Sequence, residues 1–358
     1  MKIAILTMVF NNNYGGLLQS YALMTSLKKL GYEPELLYVH DFNSSDSLFL
    51  SSLKRIVKNF IKKKKEKNIR YFIDKYIEPK TKPIYNKNKF LEIVNDYGAY
   101  IVGSDQVWRP DMYKYIDFAF FDFVKKENAI LLSYAPSFGV DEWLYSDSDT
   151  IKYKEQIKKF RAVSVREESA VNLCKKYFDI DAEHVLDPTL LLNPSDYIKI
   201  INEENEVIPK IELFTYILDV NNDKIKSVNF VSQQLKFDIS SIKLESDKDK
   251  SYPSITEWLK NFAYSKFIVT DSFHGCVFSI LFNKPFIVYG NSKRGMTRFH
   301  SILKLFNLEE RLIYSFDDIS ANLLNNEIDW VKVNSLLAQN KEKSIDFLLN
   351  NLNSKDSL

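Results

Sequence analysis

Residues 1–39 read MKIAILTMVFNNNYGGLLQSYALMTSLKKLGYEPELLYV. Ile3–Thr7 is a continuous apolar run, too short for a helix and followed by a polar turn, which predicts a buried strand. The turn is Asn11-Asn12-Asn13-Tyr14-Gly15-Gly16, and Leu17 to Lys29 then carries a helical period up to Gly31, a residue suited to the left-handed position after a helix end. Glu35–Val39 begins a second apolar run. Strand, glycine turn, helix and strand make a βαβ unit, and such units build parallel sheets. MKIAILTMVF also has the look of a short secretory core, but the asparagines follow it with no small-residue cleavage site, so it is read as the first strand.

The same alternation runs on through Tyr100–Gly103, Ile130–Ala135, Ala162–Val165 and Glu183–Leu186. It restarts after a polar stretch, Pro194 to Pro209, with strands at Glu212–Ile217, Phe237–Lys243, Lys266–Thr270 and Pro285–Tyr289. Helices are expected at about 222–235, 254–263, 274–282 and 296–306. At roughly 150 residues per domain, 358 residues predict two domains. The expected fold class is α/β, two Rossmann-like domains facing a cleft, with boundaries at 1–193 and 194–325 and a C-terminal helix and tail at 326–358. In open α/β folds, ligands bind where the strand C-termini meet a crevice.

Composition narrows the function classes. Hydrophobic residues make up 45% and charged residues 27%, which are globular values. Forty-nine Lys plus Arg against 47 Asp plus Glu leave a net charge of +2, too balanced for a protein that coats nucleic acid. Two isolated cysteines, Cys174 and Cys276, make neither a disulfide framework nor a metal quartet. No run reaches the ~18 uncharged apolar residues of a membrane span, and a cytoplasmic protein, or one loosely attached at the inner membrane surface, is expected. One segment stands apart: residues 53–70 carry nine Lys and Arg against Glu66, beside Leu53, Ile56, Val57, Phe60 and Ile61 at helical spacing. It fits a solvated helix packed by its apolar stripe on the first domain, or a peripheral contact with an anionic membrane.

Four places join glycines, polar groups and charge where a strand gives out. Asn13, Tyr14, Gly15 and Gly16 let backbone approach a ligand at a helix N-terminus. By itself this motif fits a tight structural turn equally well. Gly103-Ser104-Asp105-Gln106-Val107-Trp108 sets Asp105, Gln106 and Trp108 together, as a sugar ring requires, hydroxyls on polar groups and a C–H face on an indole. A core Trp108 with Asp105 capping a turn fits the same residues. Arg166 stands at the end of Ala162–Val165, where its planar fork suits a carboxylate or phosphate, or a neighbouring acid such as Glu168. In Thr270-Asp271-Ser272-Phe273-His274-Gly275, a histidine sits in a strand-to-helix turn with Asp271 and Ser272 near enough to orient it. Lys293, Arg294 and Arg298 follow as a cationic turn fit to clamp a phosphate. No G-x-S-x-G elbow marks a hydrolase.

In order along the chain, N-x-N-Y-G-G-x-L-Q-x-Y-A-L (Asn11 to Leu23), V-G-S-D-Q-V-W (Val102 to Trp108), S-Y-A-P-S-F-G (Ser133 to Gly139), S-V-R-E-E-S-A (Ser164 to Ala170), L-D-P-T-L-L-L (Leu186 to Leu192) and T-D-S-F-H-G (Thr270 to Gly275) resemble the polysaccharide pyruvyl transferase family. The resemblance implies a GT-B-like fold and transfer of pyruvate from phosphoenolpyruvate to a sugar as a ketal. It implies that Arg166, His274 and a cation near Arg294 handle phosphoenolpyruvate, with Asp271 beside the histidine. Many members have Arg two residues before the histidine. This chain has Ser272 there, which leaves Lys293, Arg294 or Arg298 to supply the charge. The acceptor, a nucleotide-linked or lipid-linked glycan, is expected on the first domain. Protonating the methylene carbon of phosphoenolpyruvate gives an oxocarbenium ion that one sugar hydroxyl attacks, and a second hydroxyl displaces phosphate. This chemistry requires no metal or redox cofactor. A GT-B-type glycosyltransferase consuming a nucleotide sugar and a non-catalytic glycan-binding member are the alternatives.

Overall fold

The structure, a computed structural model, describes residues 1–10, 13–40, 63–93, 97–126, 128–204, 210–242 and 251–353. It divides into two units, one formed by Met1–Leu191 with Asn340–Leu358 and the other by Leu192–Gln339.

The first unit holds β1 Lys2–Leu6, β2 Glu33–Leu36, β3 Ala99–Val102, β4 Ile130–Ser133, β5 Ala162–Val165 and β6 Glu183–His184 in the order β2-β1-β3-β4-β5-β6. Every pairing is parallel. All residues of β3 and β4 are buried, and all of β1 except Lys2, as in sheets covered on both faces. This is why these strands read as unbroken apolar runs. The connection from β1 to β2 is the helix Tyr14–Lys29, whose N-cap Asn13 accepts a hydrogen bond from the Gly16 N–H at 3.2 Å. Lys28 and Lys29 lie in its last turn, where cations complement the helix dipole. Gly31 follows with φ +84°. Beyond β3 an aromatic core takes over, in which Phe120 stacks on Trp108 at 5.3 Å and on Tyr153 at 4.4 Å.

The second unit holds β7 Ile211–Tyr216, β8 Ile239–Ser241, β9 Ser265–Thr270, β10 Phe286–Tyr289 and β11 Leu312–Ile313, ordered β11-β10-β9-β7-β8 and again all parallel. Its helices include Asn222–Leu235, Ile255–Tyr264, Phe273–Leu281 and Thr297–Phe306.

Strand order fixes where each unit can bind. In the first sheet the chain leaves β1 for β2 on one side and returns to β3 on the other, so the switch point lies between β1 and β3. Leu6 pairs with Val102 there, and the two following loops emerge side by side. In the second sheet the switch lies between β7 and β9, where Tyr216 pairs with Thr270. Every segment singled out as a strand-end motif before residue 109, and the Asp271–His274 turn, begins at one of these two points.

Three expectations change. Pro194 to Pro209 is not all linker: Pro194–Asn202 is a helix with a capping box between Asn193 and Asp196, and Tyr197, Ile200 and Ile201 are buried. The division falls at Leu191/Leu192. The C-terminal helix, Trp330–Leu352, is not a separate region, because from Asn340 onward it belongs with the first unit. There Ser344 Oγ donates to the Asn340 carbonyl at 2.7 Å and accepts from the Leu186 N–H at 3.0 Å, and Phe347, Leu348 and Leu352 are buried. Of the basic segment, residues 53–62 lie outside the described residues. Its described end runs into the helix Lys67–Tyr76, which buries Ile69, Phe72 and Ile73, with Phe72 edge-on to Tyr21 at 6.1 Å. Among the described residues no helix is long and apolar enough to cross a membrane.

Candidate active site

At the β1/β3 switch point the loops are tied by side chains. Gln19, buried on the first helix, donates to Thr7 Oγ1 at 2.8 Å, and its Oε1 accepts from the Ser104 N–H at 3.0 Å. Gly103 cannot carry a side chain, since an added Cβ would stand 1.9 Å from the Tyr134 carbonyl oxygen, and its φ is +156°. Asp105 follows with φ +73°, a left-handed conformation held by its own bonds. Its Oδ2 accepts from Asn13 Nδ2 at 3.0 Å, and its Oδ1 accepts from the Gln106 N–H at 3.0 Å and from Arg166 Nη2 at 3.3 Å. Arg166 Nη1 donates to Asp187 Oδ2 at 2.7 Å, and Asp187 Oδ1 accepts from Thr189. Next to Arg166, Glu167 gathers Ser137 Oγ and the N–H groups of Phe138 and Gly139 on one oxygen, at 2.8–3.0 Å.

Two expectations are corrected here. Arg166 is only 4% exposed and is engaged by two buried carboxylates, neither of them Glu168. Burial alone would lower its pKa, and Asp187 and Asp105 more than offset that, leaving the guanidinium above its ordinary value. It braces the ends of β3, β5 and β6 instead of offering a fork to a ligand. Trp108 is 0% exposed, with its ring covered by Phe120 and its Nε1–H given to the Ala119 carbonyl at 3.2 Å. A residue packed this way has no free face for a sugar. Of the remaining acceptor candidates, Asn13 is exposed and Gln106 half-buried, while Tyr14, Gly15 and Gly16 are buried in the helix start.

At the β7/β9 switch point Asp271, 0% exposed, is the hub. Its Oδ1 accepts from the Leu218 N–H at 2.6 Å, and its Oδ2 from the Asp219 N–H at 3.1 Å, Lys224 Nζ at 2.7 Å and Asn291 Nδ2 at 3.2 Å. One donor sits on Oδ1 and three converge on Oδ2, so the carboxylate is held from both neighbouring loops. Asp271 therefore fixes the ends of β7, β9 and β10, and the expected orienting bond to His274 is not among its contacts. Asp219 in turn accepts from Asn291 Nδ2 at 2.6 Å and from Arg294 Nε and Nη2 at 2.6 and 3.2 Å. The Arg294 hydrogen bond holds the Asp219 carboxyl down at about 2.

Ser272 is the N-cap of Phe273–Leu281, its Oγ accepting from the Gly275 N–H at 3.3 Å. Gly275 packs so tightly on the strand end that a Cβ would meet Thr270 Oγ1 at 2.2 Å. His274 occupies the second helical position and is 5% exposed. Arg298 lies with its guanidinium carbon 5.2 Å from the Phe273 ring, and Phe273 and His274 have ring centroids 5.2 Å apart. Arg298 also donates to the Arg294 carbonyl. Arg294, Arg298 and His274 are thus brought to one strand edge. Lys293 shares the short helical turn Ser292–Arg294, but its side chain lies outside the described residues. Both cysteines are buried, and burial pushes their thiols well up, which excludes them as nucleophiles.

Sequence reading singled out none of Asp187, Asp219, Lys224, Glu167 and Asn291 for a role, although Asp187 and Glu167 lie inside two of the quoted motifs. An acid at the C-terminal end of a predicted strand, as in Leu218-Asp219, was the available signal. What it binds depends on strand order, which a sequence does not display.

The polysaccharide pyruvyl transferase family model matches residues 13–293. No curated protein matches the chain. Among solved structures, an S. aureus MnaA–UDP co-structure aligns with TM-score 0.52 and 12% identity over 99% of both chains. A UDP-N-acetylglucosamine 2-epimerase from Rickettsia bellii aligns at 0.49 and 11% over 99% of both. A glycosyltransferase from Rickettsia africae aligns at 0.48 and 12%, over 98% of this chain and 93% of that one. The two parallel sheets with their covering helices make a fold of the GT-B class. With its ordered motifs inside a match that spans most of its length, the chain belongs to the polysaccharide pyruvyl transferase family.

Proposed function

We propose that the protein transfers the pyruvyl group of phosphoenolpyruvate to a sugar of a surface-polysaccharide precursor, forming a pyruvate ketal. The observation that carries this reading is the placement of His274, inside the segment matched by the family, at the switch point of the second sheet, with Arg294 and Arg298 following just beyond that segment. In the proposed reaction His274 protonates the methylene carbon, and the electron pair of the enol C=C forms the new C–H bond. A sugar hydroxyl adds to the resulting oxocarbenium carbon and loses its proton. A second hydroxyl of the same sugar then displaces inorganic phosphate, closing the ketal.

Arg294 and Arg298 hold the anion in this reading, with Lys293 beside them. Arg294 uses only its Nε and one Nη2 hydrogen on Asp219, and 45% of its side chain is exposed. The Nη1 edge makes no hydrogen bond among the described residues and can take a phosphate or carboxylate oxygen. Ser272 offers the start of a helix in place of a third arginine. Arg166 and Asp105 act indirectly, by holding Asn13 and Gln106 where an acceptor hydroxyl can reach them.

The acceptor is a nucleotide-linked or lipid-linked glycan, and the reaction takes place in the cytoplasm. For a lipid-linked acceptor, the 53–70 segment would hold the protein at the inner membrane surface. Each cation near an anionic surface contributes about 1 kcal/mol, so changing Lys62 to Lys65 to Gln should release the protein from acidic vesicles. Equal sedimentation of both proteins with such vesicles would remove the membrane contact from the proposal.

The reaction itself is tested by incubating the protein with phosphoenolpyruvate and candidate glycans while following phosphate release. Release that requires both, with pyruvate recovered on the glycan, supports the proposal. Consumption of a nucleotide sugar without phosphoenolpyruvate would replace it with glycosyl transfer, and binding without turnover with a non-catalytic role.

A further inference from the structure

A concavity lies in the first unit beside the loop that Glu167 ties down. It encloses about 430 Å³ between the segment that follows Gly139 and the helix that follows β5. That size is within the range of small-molecule sites, roughly 300–1,000 Å³. Its helical wall is Ser169, Asn172, Leu173, Lys176 and Tyr177, the i, i+3, i+4, i+7, i+8 stripe that a helix normally turns toward a core. Only Leu173 of these is fully buried. From Cys174 to Phe178 the helix widens into a π-helical turn, a distortion found frequently at functional sites.

Trp143 packs against the same helix, beside Tyr177 and Phe178. Its indole stacks on Tyr177 at 4.3 Å and 7°, and its Nε1–H is already given to Thr150 at 2.7 Å. The facing sides of this pair are taken by the stack, and their remaining half-buried surface, with Leu173, supplies the apolar part of the lining. Ser169 Oγ is buried and has no hydrogen-bond partner among the described residues. Around it stand an exposed amide, Asn172, and two exposed carboxylates, Asp141 and Glu142, which can accept pairs of hydroxyls. The single ammonium, Lys176, lies over the Tyr177 ring at 4.9 Å.

We propose that this concavity is a glycan-binding subsite for a neutral oligosaccharide segment. Two carboxylates against one ammonium favour a neutral ligand over phosphates and uronic acids. Mixed aromatic and hydrogen-bonding walls suit a ring with one apolar face and a rim of hydroxyls. The inference rests on the reading that the protein's acceptor is a glycan, and the subsite would hold sugars distant from the reacting one.

The test needs no phosphoenolpyruvate, so its outcome is separate from that of the phosphate-release assay. The full chain is titrated calorimetrically with a neutral hexose tetrasaccharide, an N-acetylhexosamine tetrasaccharide and tetragalacturonate, with tryptophan emission followed in parallel. Binding of a neutral tetrasaccharide in preference to tetragalacturonate is expected, with an emission change that Trp143→Phe abolishes. Two lost hydrogen bonds at about 1 kcal/mol each predict a loss of affinity of about tenfold or more in a Glu142→Ala, Asn172→Ala double variant. Both positions are exposed, so this variant retains its fold even if the Trp143 one does not. Failure of both neutral probes to bind, stronger binding of the galacturonate, or unchanged affinity in the double variant would overturn the subsite. Failure of phosphate release with binding intact would overturn only the transfer chemistry.

Discussion

His274 stands at the strand-to-helix turn after β9, 5% exposed and next to the ring on which Arg298 rests. If it delivers the proton to carbon, His274→Gln keeps a polar group but no acid, and kcat for phosphate release should fall by about 10²–10⁴-fold while the circular dichroism spectrum is unchanged. Near-normal turnover by the folded variant would reject the assignment. Arg166 and Trp108 call for a different measurement. Asp187→Asn leaves the buried Arg166 charge short of a partner and should cost about 3–5 kcal/mol of stability. Trp108→Ala should cost a similar ~3–5 kcal/mol by opening a cavity against Phe120. Denaturant melts check both, and a Trp108→Ala protein of native stability with a weakened acceptor KM would restore the sugar-stacking role. These residues show how far a motif can be read. D-S-x-H-G announced a histidine at a strand end because residue types and a turn are local. Whether an Asp or Arg faces a ligand or another side chain depends on three strand ends converging, and Asp105, Arg166 and Asp187 are separated by 61 and 21 positions in the chain.

Elements were the most legible level, since buried parallel strands are continuous apolar runs with helices between them. β5 and the helices near 222–235, 254–263 and 296–306 fall within a residue or two of their expected bounds. Where edges are short the signal fails: β11 is two residues long and was not foreseen, and β8 is Ile239–Ser241 within an expected Phe237–Lys243. The loops at the ends of β7 and β10 are held by Asp219, which ties Asn291 and Arg294 together. Its carboxyl stands at about 2 against an ordinary 3.8. A carboxyl depressed in the folded state contributes stability above its unfolded value and loses that contribution as the pH falls through the folded one. Asp219→Asn should therefore melt below the wild type at about pH 5, with the gap closing as the pH approaches about 2. The pair is partly exposed, so the gap will be small and reduced by salt. Acid limbs that run parallel across this window would show that Asp219 is not the titrating group.

At the scale of the whole molecule the order of motifs was readable, but the return of the chain was not. Sequence placed 326–358 apart as a helix and tail because an amphipathic stripe does not name its partner. In the structure Trp330–Leu352 begins with the second unit, and from Asn340 it packs on the first, giving it Phe347, Leu348 and Leu352 as core residues and Ser344 as the acceptor for the Leu186 N–H. Tyr134 at the end of β4 meets Phe347 at 6.4 Å, and Arg161 donates to the Asn351 carbonyl at 3.3 Å. The first unit is thus assembled from both ends of the sequence, so a cut at the expected boundary near 193 would leave it incomplete. Removing two such buried side chains costs about 2–5 kcal/mol each, comparable with the ~5–15 kcal/mol of a whole domain. A Phe347→Ala, Leu348→Ala chain should accordingly lose the transition of the first unit at lower denaturant. With Trp258 and Trp330 changed to Phe, the remaining tryptophans, Trp108 and Trp143, report that unit alone. A midpoint unmoved by the double substitution would mean that residues 340–358 cover the first unit without stabilising it, and the division of the molecule would revert to the one read from the sequence.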